Sequence, residues 1–403
     1  MINTEGTGNN FQKVPHGPLG LITLEGSREL GGMVDRHLLD RRREFVADNP
    51  QHIAFPGFLR ESYRVPVSCC RFSNGEGKAV VNETVRGHDI FLLTDIGNYS
   101  CKYRMYGAEH AMSPDDHFQD LKRTISAIGG KARRLTVIMP LLYESRQHKR
   151  NSRESLDCAI SLKELEALGV DNILTFDAHD PRVQNSIPLL GFENLHPTYQ
   201  IIKAMLSKEP DISIDRKSML VVSPDEGGME RSMYYSSMLG LDLAMFYKRR
   251  DYTRIVNGRN PIIRHEFLGD SVEGKDILIA DDLISSGESV LDIARELKGR
   301  KANRIFVAAT FALFTEGIGV FEKAFEQGLI TRLYSTNLTY RRPELRDAQW
   351  YADVDMSKFI ALLVDALNHD QSVSTLLDPS EKISSLLRRT LNKNNPAGAI
   401  QHP

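Results

Sequence analysis

The chain has 403 residues, and its 51 Lys and Arg residues against 53 Asp and Glu residues give a formal net charge of −2. This balance excludes a general attraction to nucleic acid or to an anionic membrane, and no uncharged stretch is long enough to span a bilayer. The four cysteines have no CxxC spacing, which favours reduced thiols. We expect a cytoplasmic protein of two or more domains, without nucleic-acid or membrane partners.

The first part of the chain combines a polar tail with short elements and two long connections. Residues 1–18 are rich in Gly and Asn and are predicted to be disordered. A strand is predicted at Gly20–Leu24, followed by a helix from Arg28 to Leu39. Segments 41–62 and 97–116 follow neither a helical nor a strand period, so we interpret both as insertions. Three further strands are predicted between them, at 65–72, 78–81 and 89–93.

Beyond residue 116 helices and strands alternate regularly. An amphipathic helix carries its apolar residues at helical spacing, at Phe118, Leu121, Ile125 and Ile128. Strands are then predicted at 135–139, 173–176, 218–222, 243–246, 277–280, 305–311 and 331–335. Helices are predicted near 155–168, 197–207, 228–239, 289–298 and 318–327. This alternation predicts an α/β fold with mainly parallel sheets flanked by helices.

The number of strands favours two similar domains over one sheet. Each half places an acid at the end of a strand, Asp177 in one and Asp281 in the other, as a duplication would. We place the boundary near Gly191, which gives domains at 19–190 and 191–345. The remaining segment, 346–403, is predicted to be a C-terminal helical extension.

One stretch, Gly274–Leu297, indicates a sugar-phosphate site. An apolar strand ends in the adjacent acids Asp281 and Asp282, and a turn rich in serine leads into an amphipathic helix. Backbone N–H groups at a helix N-terminus favour phosphate, and two carboxylates at the end of a parallel strand can accept hydrogen bonds from vicinal ribose hydroxyls. An ordinary strand-to-helix turn capped by Asp and Ser is the alternative.

Five other stretches place polar or charged residues where strands are predicted to end or turn. They are Arg71–Glu76, Pro140–Arg150, Phe176–His179, Val222–Gly228 and Lys248–Arg250. Each also has a purely structural interpretation. Phe72 fits a core, Asp225 fits a helix cap, and the basic residues fit a solvated surface.

Asp281–Ser289 resembles the ribose-5-phosphate-binding signature of type I phosphoribosyltransferases. Taken in order, all these stretches are similar to the ribose-phosphate pyrophosphokinase family over roughly residues 20–378. The resemblance implies two type I phosphoribosyltransferase-like domains. It also implies Mg²⁺-dependent transfer of the diphosphoryl group of ATP to C1 of ribose 5-phosphate, giving 5-phosphoribosyl 1-pyrophosphate (PRPP) and AMP. The partners implied are ATP, ribose 5-phosphate and further copies of the chain, in a homo-oligomer built from dimers.

The resemblance also implies a role for individual residues. The catalytic cations would be Lys248 and Arg250, and the metal ligands His179 and Asp225. ATP would bind to Phe72, Asn74, Glu76, Arg146 and Gln147, with the adenine pocket lent by a neighbouring subunit. Ribose 5-phosphate would bind to Asp225, Asp281, Asp282, Ser285, Ser286, Gly287 and Ser289.

The sequence departs from the family pattern at several of these positions. Ser285 replaces an acid and Glu288 replaces a glycine in the phosphate turn, and His148 and Lys149 replace Asp and Arg in the basic loop. A carboxylate beside a phosphate is unfavourable unless it points away. Two alternatives therefore stay open: a non-catalytic regulatory homologue, and a phosphoribosyltransferase that consumes PRPP.

Overall fold

The computed structural model describes residues 14–50, 54–150, 152–250 and 262–394. They form two compact units, each considered by itself below. The first unit takes its described residues from Met1–His196, Asn337–Tyr340 and Asp355–Leu377. The second takes them from Pro197–Thr336, Arg341–Val354 and Asp378–Pro403. Most of the predicted disordered tail, residues 1–13, lies outside the described residues.

The first unit is built on a five-stranded parallel sheet with the strand order β1-β4-β7-β8-β9. Its strands, including two antiparallel hairpins outside that sheet, are β1 (Leu19–Thr23), β2 (Val67–Arg71), β3 (Gly77–Val81), β4 (Asp89–Leu93), β5 (Lys102–Met105), β6 (Ala108–Ala111), β7 (Arg134–Ile138), β8 (Asn172–Phe176) and β9 (Gly191–Leu195). Every residue of β4 is buried, as expected for a parallel strand covered on both faces.

In chain order, three α-helices of the first unit come before the second unit begins: α1 (Arg28–Asp48), α2 (Pro114–Ile128) and α3 (Asp157–Ala167). The start of α2 shows why the sequence forms a helix there. Ser113 and Asp116 form a reciprocal capping box, and Pro114 occupies the first turn, where its missing N–H costs nothing. Its predicted apolar residues are buried in the core, so the amphipathic helix is confirmed.

The second unit contains a seven-stranded sheet with the order β12-β11-β10-β13-β14-β15-β16. Its strands are β10 (Met219–Ser223), β11 (Asp242–Arg250), β12 (Ile262–Leu268), β13 (Asp276–Ile284), β14 (Ile305–Ala312), β15 (Arg332–Thr336) and β16 (Tyr351–Val354). Only β12 runs antiparallel to its neighbour among these strands. The flanking helices are α4 (Thr198–Lys208), α5 (Met229–Leu239), α6 (Glu288–Gly299) and α7 (Gly319–Glu326). The predicted α/β class with two mainly parallel sheets is confirmed.

The last part of the chain is not one helical extension. It opens with the strand β16, which lies in the second unit, and continues with α8 (Ser357–Asn368), α9 (Ser374–Leu377) and α10 (Ser380–Asn394). The first two of these helices belong to the first unit and α10 belongs to the second. Segment 346–403 therefore contributes to both units.

The insertion predicted at 41–62 is partly helix, because α1 continues to Asp48 and does not end at Leu39. The buried stripe of α1 runs on through Arg42 and Val46. A charged residue in that stripe hid the helical period. Arg42 is stabilised there by Asp365 of α8, whose carboxylate lies 3.1 Å from its Nε.

Segment 97–116 is also ordered. It contains the β5–β6 hairpin and the first residues of α2. The strands were missed because each is only four residues long and alternates weakly between polar and apolar residues.

Two other strands were missed as well. The strand β9, with the sequence GFENL, pairs in parallel with β8, so residues just after the predicted boundary at Gly191 belong to the first sheet. The units divide after His196. The strand β12 pairs with β11 and follows residues 251–261, which lie outside the described residues.

Candidate active site

In the second unit Asp281 and Asp282 lie on β13 itself. The strand was predicted to end at Ala280, but it continues to Ile284 because it pairs with β14 as far as Ala312. The two acids are adjacent, and their carboxyl groups lie close enough to interact directly. The Asp282 N–H also donates to Asp281 Oδ1 at 2.9 Å.

The turn after β13 joins the strand to the N-terminus of α6 through Ser285, Ser286 and Gly287. Gly287 has a φ of +91°, and a Cβ atom there would lie 2.3 Å from the ring of Phe321, so only glycine fits. Ser285 is held by Thr315, whose N–H donates to its carbonyl at 3.0 Å. The turn therefore has the geometry of a strand-to-helix phosphate loop.

Glu288 and Ser289 form the first residues of α6, and both are exposed. Glu288 N–H lies 3.4 Å from Ser286 Oγ. An acid in the first turn stabilises a helix through its dipole, which gives Glu288 a structural role in place of the family glycine. Its exposure leaves room for the carboxylate to stay in water.

Burial raises the pKa of Asp281 well above its ordinary value, and the charge of Asp282 raises it further. Arg231 opposes this shift, and its Nη1 lies 3.9 Å from Asp282 Oδ1 with both side chains largely buried. Arg231 comes from the first turn of α5 and was not predicted as a site residue. The sequence offers one indication of this role: Arg231 lies in the helix that follows β10, and β10 is the strand beside β13.

Asp225 follows β10 directly. Val222 of β10 pairs with Ile279 of β13, so Asp225 and the two acids of β13 lie towards the same edge of the sheet. Asp225 Oδ1 also accepts a hydrogen bond from the N–H of Gly228 at 3.1 Å, at the start of α5. This bond holds the turn that precedes α5, whose N-cap residue is Gly228 itself.

Lys248 and Arg250 lie on the far part of β11. The parallel pairing of β11 with β10 ends at Ser223 and Met245, and beyond it Lys248 pairs with His265 of β12. A bulge follows between Arg249 and Arg250. The backbone thus carries both cations past the carboxyl end of β10, while their side chains lie outside the described residues.

In the first unit the basic loop and His179 follow neighbouring strands, β7 and β8. Arg146, Gln147 and His179 are exposed. The His179 ring lies 5.4 Å from the ring of His148, which the sequence did not predict as a neighbour. Burial lowers the pKa of His148, and the nearby Asp180 carboxylate, 3.5 Å from its Nε2, opposes that shift.

Phe72, Asn74 and Glu76 lie on the turn between β2 and β3. Phe72 is 50% exposed, so the interpretation of this residue as a core phenylalanine is wrong. Asn74 Nδ2 donates to Glu76 Oε2 at 2.9 Å, and the Glu76 N–H donates to Asn74 Oδ1 at 3.1 Å. The turn therefore presents an aromatic face beside a fixed pair of polar side chains.

Comparison with known proteins agrees with this arrangement of two similar α/β units. Residues 19–169 match the N-terminal domain of ribose phosphate pyrophosphokinase, and residues 191–320 match the phosphoribosyl transferase domain. The chain belongs to the ribose-phosphate pyrophosphokinase family. The resemblance noted in the sequence is thereby confirmed.

Alignments with individual relatives cover most of this chain and most of each relative. The ribose-phosphate pyrophosphokinases of Pasteurella multocida and Vibrio parahaemolyticus are each 27% identical to this chain. The first alignment covers 76% of this chain and 89% of the relative, and the second covers 77% and 90%. The crystal structure of phosphoribosylpyrophosphate synthetase from Mycobacterium smegmatis is similar in fold, with a TM-score of 0.69 and 20% identity over 87% of this chain and 99% of the other.

The family uses a metal. No group of three or more His, Cys, Asp and Glu side chains suited to a metal occurs in the described parts of the chain. The absence of such a cluster there does not fit a cage made by protein alone, and it fits a hard cation that keeps several waters and binds substrate phosphates.

No helix in the described residues has both the length and the apolar character needed to cross a bilayer.

Proposed function

We propose that the chain is an active ribose-phosphate diphosphokinase that makes PRPP and AMP from ATP and ribose 5-phosphate. The observation that carries the proposal is the order along β13 and α6: two adjacent acids, a serine-lined turn closed by Gly287, and a helix N-terminus. The acids suit the ribose hydroxyls, and the turn suits the 5-phosphate. Asp225, just after the neighbouring strand β10, adds a third acid towards the same edge.

The proposed reaction joins the anomeric oxygen of ribose 5-phosphate to the β-phosphorus of ATP. The bond between that phosphorus and the α,β-bridging oxygen breaks, and AMP leaves with the bridging oxygen. Such a transfer asks the protein mainly for in-line positioning and charge neutralisation. We assign charge neutralisation to Lys248 and Arg250, and the grip on the nucleotide to Arg146 and Gln147.

Mg²⁺ is the proposed cofactor. When bound, it would neutralise part of the charge of the ATP phosphates. We assign metal binding to His179 and Asp225, and so few protein donors suit an ion that keeps much of its hydration. His179 is exposed, so its loss should weaken metal binding more than it disturbs the fold.

We also propose that the working form is a homo-oligomer built from dimers. The exposed turn of Phe72, Asn74 and Glu76 supports this proposal, because an exposed aromatic side chain without a core to fill suits contact with a ligand or another copy. Light scattering of the purified chain would give its mass, and a monomer at assay concentration would contradict the proposal.

The deciding experiment incubates the purified full chain with Mg²⁺, ATP and ribose 5-phosphate, and quantifies AMP and PRPP by chromatography. We expect equal amounts of both products. Lys248→Ala is the matched control and should lose at least about a hundredfold in kcat, because it removes charge stabilisation present in the transition state. Turnover no higher than in this control would discard the enzyme assignment.

The regulatory alternative is favoured by one observation, the replacement of family residues by Ser285 and Glu288 in the phosphate turn. A regulatory homologue would bind ribose 5-phosphate weakly and would not form AMP. The same assay therefore separates the two functions, and replacing ATP and ribose 5-phosphate by PRPP and a nucleobase tests the phosphoribosyltransferase alternative.

A further inference from the structure

The tip of the β5–β6 hairpin carries a tyrosine that neither the turn nor the core requires. Met105 pairs with Ala108, so the turn consists of Tyr106 and Gly107 alone. Both residues have positive φ, +48° and +80°, which is the geometry of a type I′ turn. Asn or Gly suits the first position of such a turn, whereas a bulky side chain is strained there.

Tyr106 gains nothing from burial in return for this strain, because 81% of it is exposed. A strained residue that is also an exposed aromatic points to a use outside the hairpin. The location of Tyr106 indicates what this use is. The hairpin lies in the predicted insertion at 97–116, and its tip touches the turn that carries Phe72, Asn74 and Glu76.

Two contacts fix the hairpin on that turn. The Tyr106 N–H donates to the carbonyl oxygen of Ser73 at 2.8 Å. The sulfur of Met105 lies so close to Gly75 that a Cβ atom on Gly75 would stand 2.5 Å from it. Behind the tip, the guanidinium of Arg71 lies over the ring of Tyr103 at 5.2 Å. The two tips therefore form one continuous surface.

This surface has the chemistry of a nucleobase site. Phe72 and Tyr106 offer two exposed aromatic side chains, and a flat base can stack on such faces. Asn74 and Glu76, already joined by hydrogen bonds, offer an amide and a carboxylate that can read the polar edge of a purine. Glu76 would repel a phosphate, so the base and not the triphosphate fits here.

We propose that Tyr106 is a further nucleotide-binding residue, which supplies a second aromatic contact to the adenine of ATP beside Phe72. The inference rests on the proposed function and deepens it. The β5–β6 hairpin then extends the base site of this chain beyond the residues given by the family pattern.

The test compares Tyr106→Asn with Tyr106→Phe. Asparagine suits the type I′ turn at least as well as tyrosine, so Tyr106→Asn should fold normally while it lacks the ring. We expect it to raise the KM for ATP, and the Kd of ATP measured by titration calorimetry, about three- to tenfold, the size of one lost aromatic contact. The KM for ribose 5-phosphate should stay within twofold, and Tyr106→Phe should behave as the wild type.

A Tyr106→Asn variant with wild-type ATP affinity would overturn the inference. Phe72→Ala separates this outcome from failure of the proposed function. If Phe72→Ala weakens ATP binding and Tyr106→Asn does not, the function stands and the role of Tyr106 falls. If the wild type neither binds ATP nor forms AMP, the proposed function and this inference fail together. Similar loss of affinity for ribose 5-phosphate in Tyr106→Asn would also contradict a base contact.

Discussion

At the scale of single residues, Asp281 and Asp282 hold the clearest functional chemistry. Two adjacent acids on a buried strand are costly to ionise together, and Arg231 compensates only part of that cost. A ligand that donates hydrogen bonds to them would recover more of it. The proposed ligand groups are the vicinal hydroxyls of ribose 5-phosphate.

Replacing both acids, Asp281→Asn with Asp282→Asn, should raise the KM for ribose 5-phosphate about a hundredfold or more. Each lost charged acceptor weakens a hydrogen bond to a hydroxyl by about 1.5–3 kcal/mol. The KM for ATP should change by less than threefold. Steady-state kinetics with each substrate varied in turn measures the two effects. Asp270→Asn, which changes an exposed acid before the same strand, is the control, and equal effects on both substrates would refute the ribose assignment.

Asp95 is a second residue whose environment predicts a measurable effect. Burial raises its pKa to about 7, although the Gly97 N–H and the Thr339 hydroxyl donate to it at 2.9 and 3.0 Å and oppose the shift. The folded pKa lies above the unfolded value of 3.8. The stabilising contribution of the protonated form is therefore complete below about pH 4 and is lost as the pH rises through 7.

Asp95→Asn imitates the protonated carboxyl group at every pH. Its free energy of unfolding, relative to the wild type, should therefore increase between pH 4.5 and pH 8, by up to about 3 kcal/mol. Denaturant unfolding of both proteins at the two pH values gives this difference. A difference that does not vary with pH would show that Asp95 stays ionised throughout.

At the scale of elements, the passage from β13 into α6 depends on one glycine. Gly287 combines a positive φ with contact to Phe321, which is fully buried and stacks on Trp350 with a ring separation of 5.4 Å. The proposed phosphate turn is therefore built against the core. Any added atom at Gly287 displaces either the turn or the Phe321 ring.

Gly287→Ala should lower the free energy of unfolding by about 2–4 kcal/mol, from a left-handed backbone and an overpacked core together. It should also weaken ribose 5-phosphate binding, since the turn moves. Gly299→Ala is the matched control, because Gly299 ends the same helix and a Cβ atom there meets nothing within 4 Å. Chemical denaturation measures both variants, and equal stability of the two would contradict the steric argument.

At the scale of the whole molecule, the chain returns to its first unit after completing the sheet of the second. Residues Asp355–Leu377 belong to the first unit, and α8 packs there against α1. Asp365 of α8 pairs with Arg41 and with Arg42, whose side chain is 2% exposed. Although burial alone would raise the pKa of Asp365, its cationic neighbours, Arg42 first, lower it.

Asp365→Asn should destabilise the protein by about 3–5 kcal/mol, because it leaves the buried Arg42 without its countercharge. Asp48→Asn, an exposed acid at the end of α1, should change the free energy of unfolding by less than about 0.5 kcal/mol. Denaturant unfolding near pH 7 compares them. If Asp365→Asn had the same free energy of unfolding as the wild type, the ion pair between Asp365 and Arg42 would not anchor α8.

The sequence alone determined the α/β class, the family and most core strands, because long apolar runs and regular alternation are local signals. It also singled out the acid pair and the serine turn, since their residue types and spacing are local too. Their assigned roles remain predictions.

Only the tertiary structure decided the rest. Short polar strands such as β5, β6 and β9 form because a partner strand pairs with them, and α1 continues through Arg42 because a distant carboxylate, Asp365, neutralises it. The approach of Arg231 to Asp282, and of Tyr106 to the Phe72 turn, likewise depends on how separate elements pack. A contact between residues far apart in the chain leaves no pattern in the residues around either one.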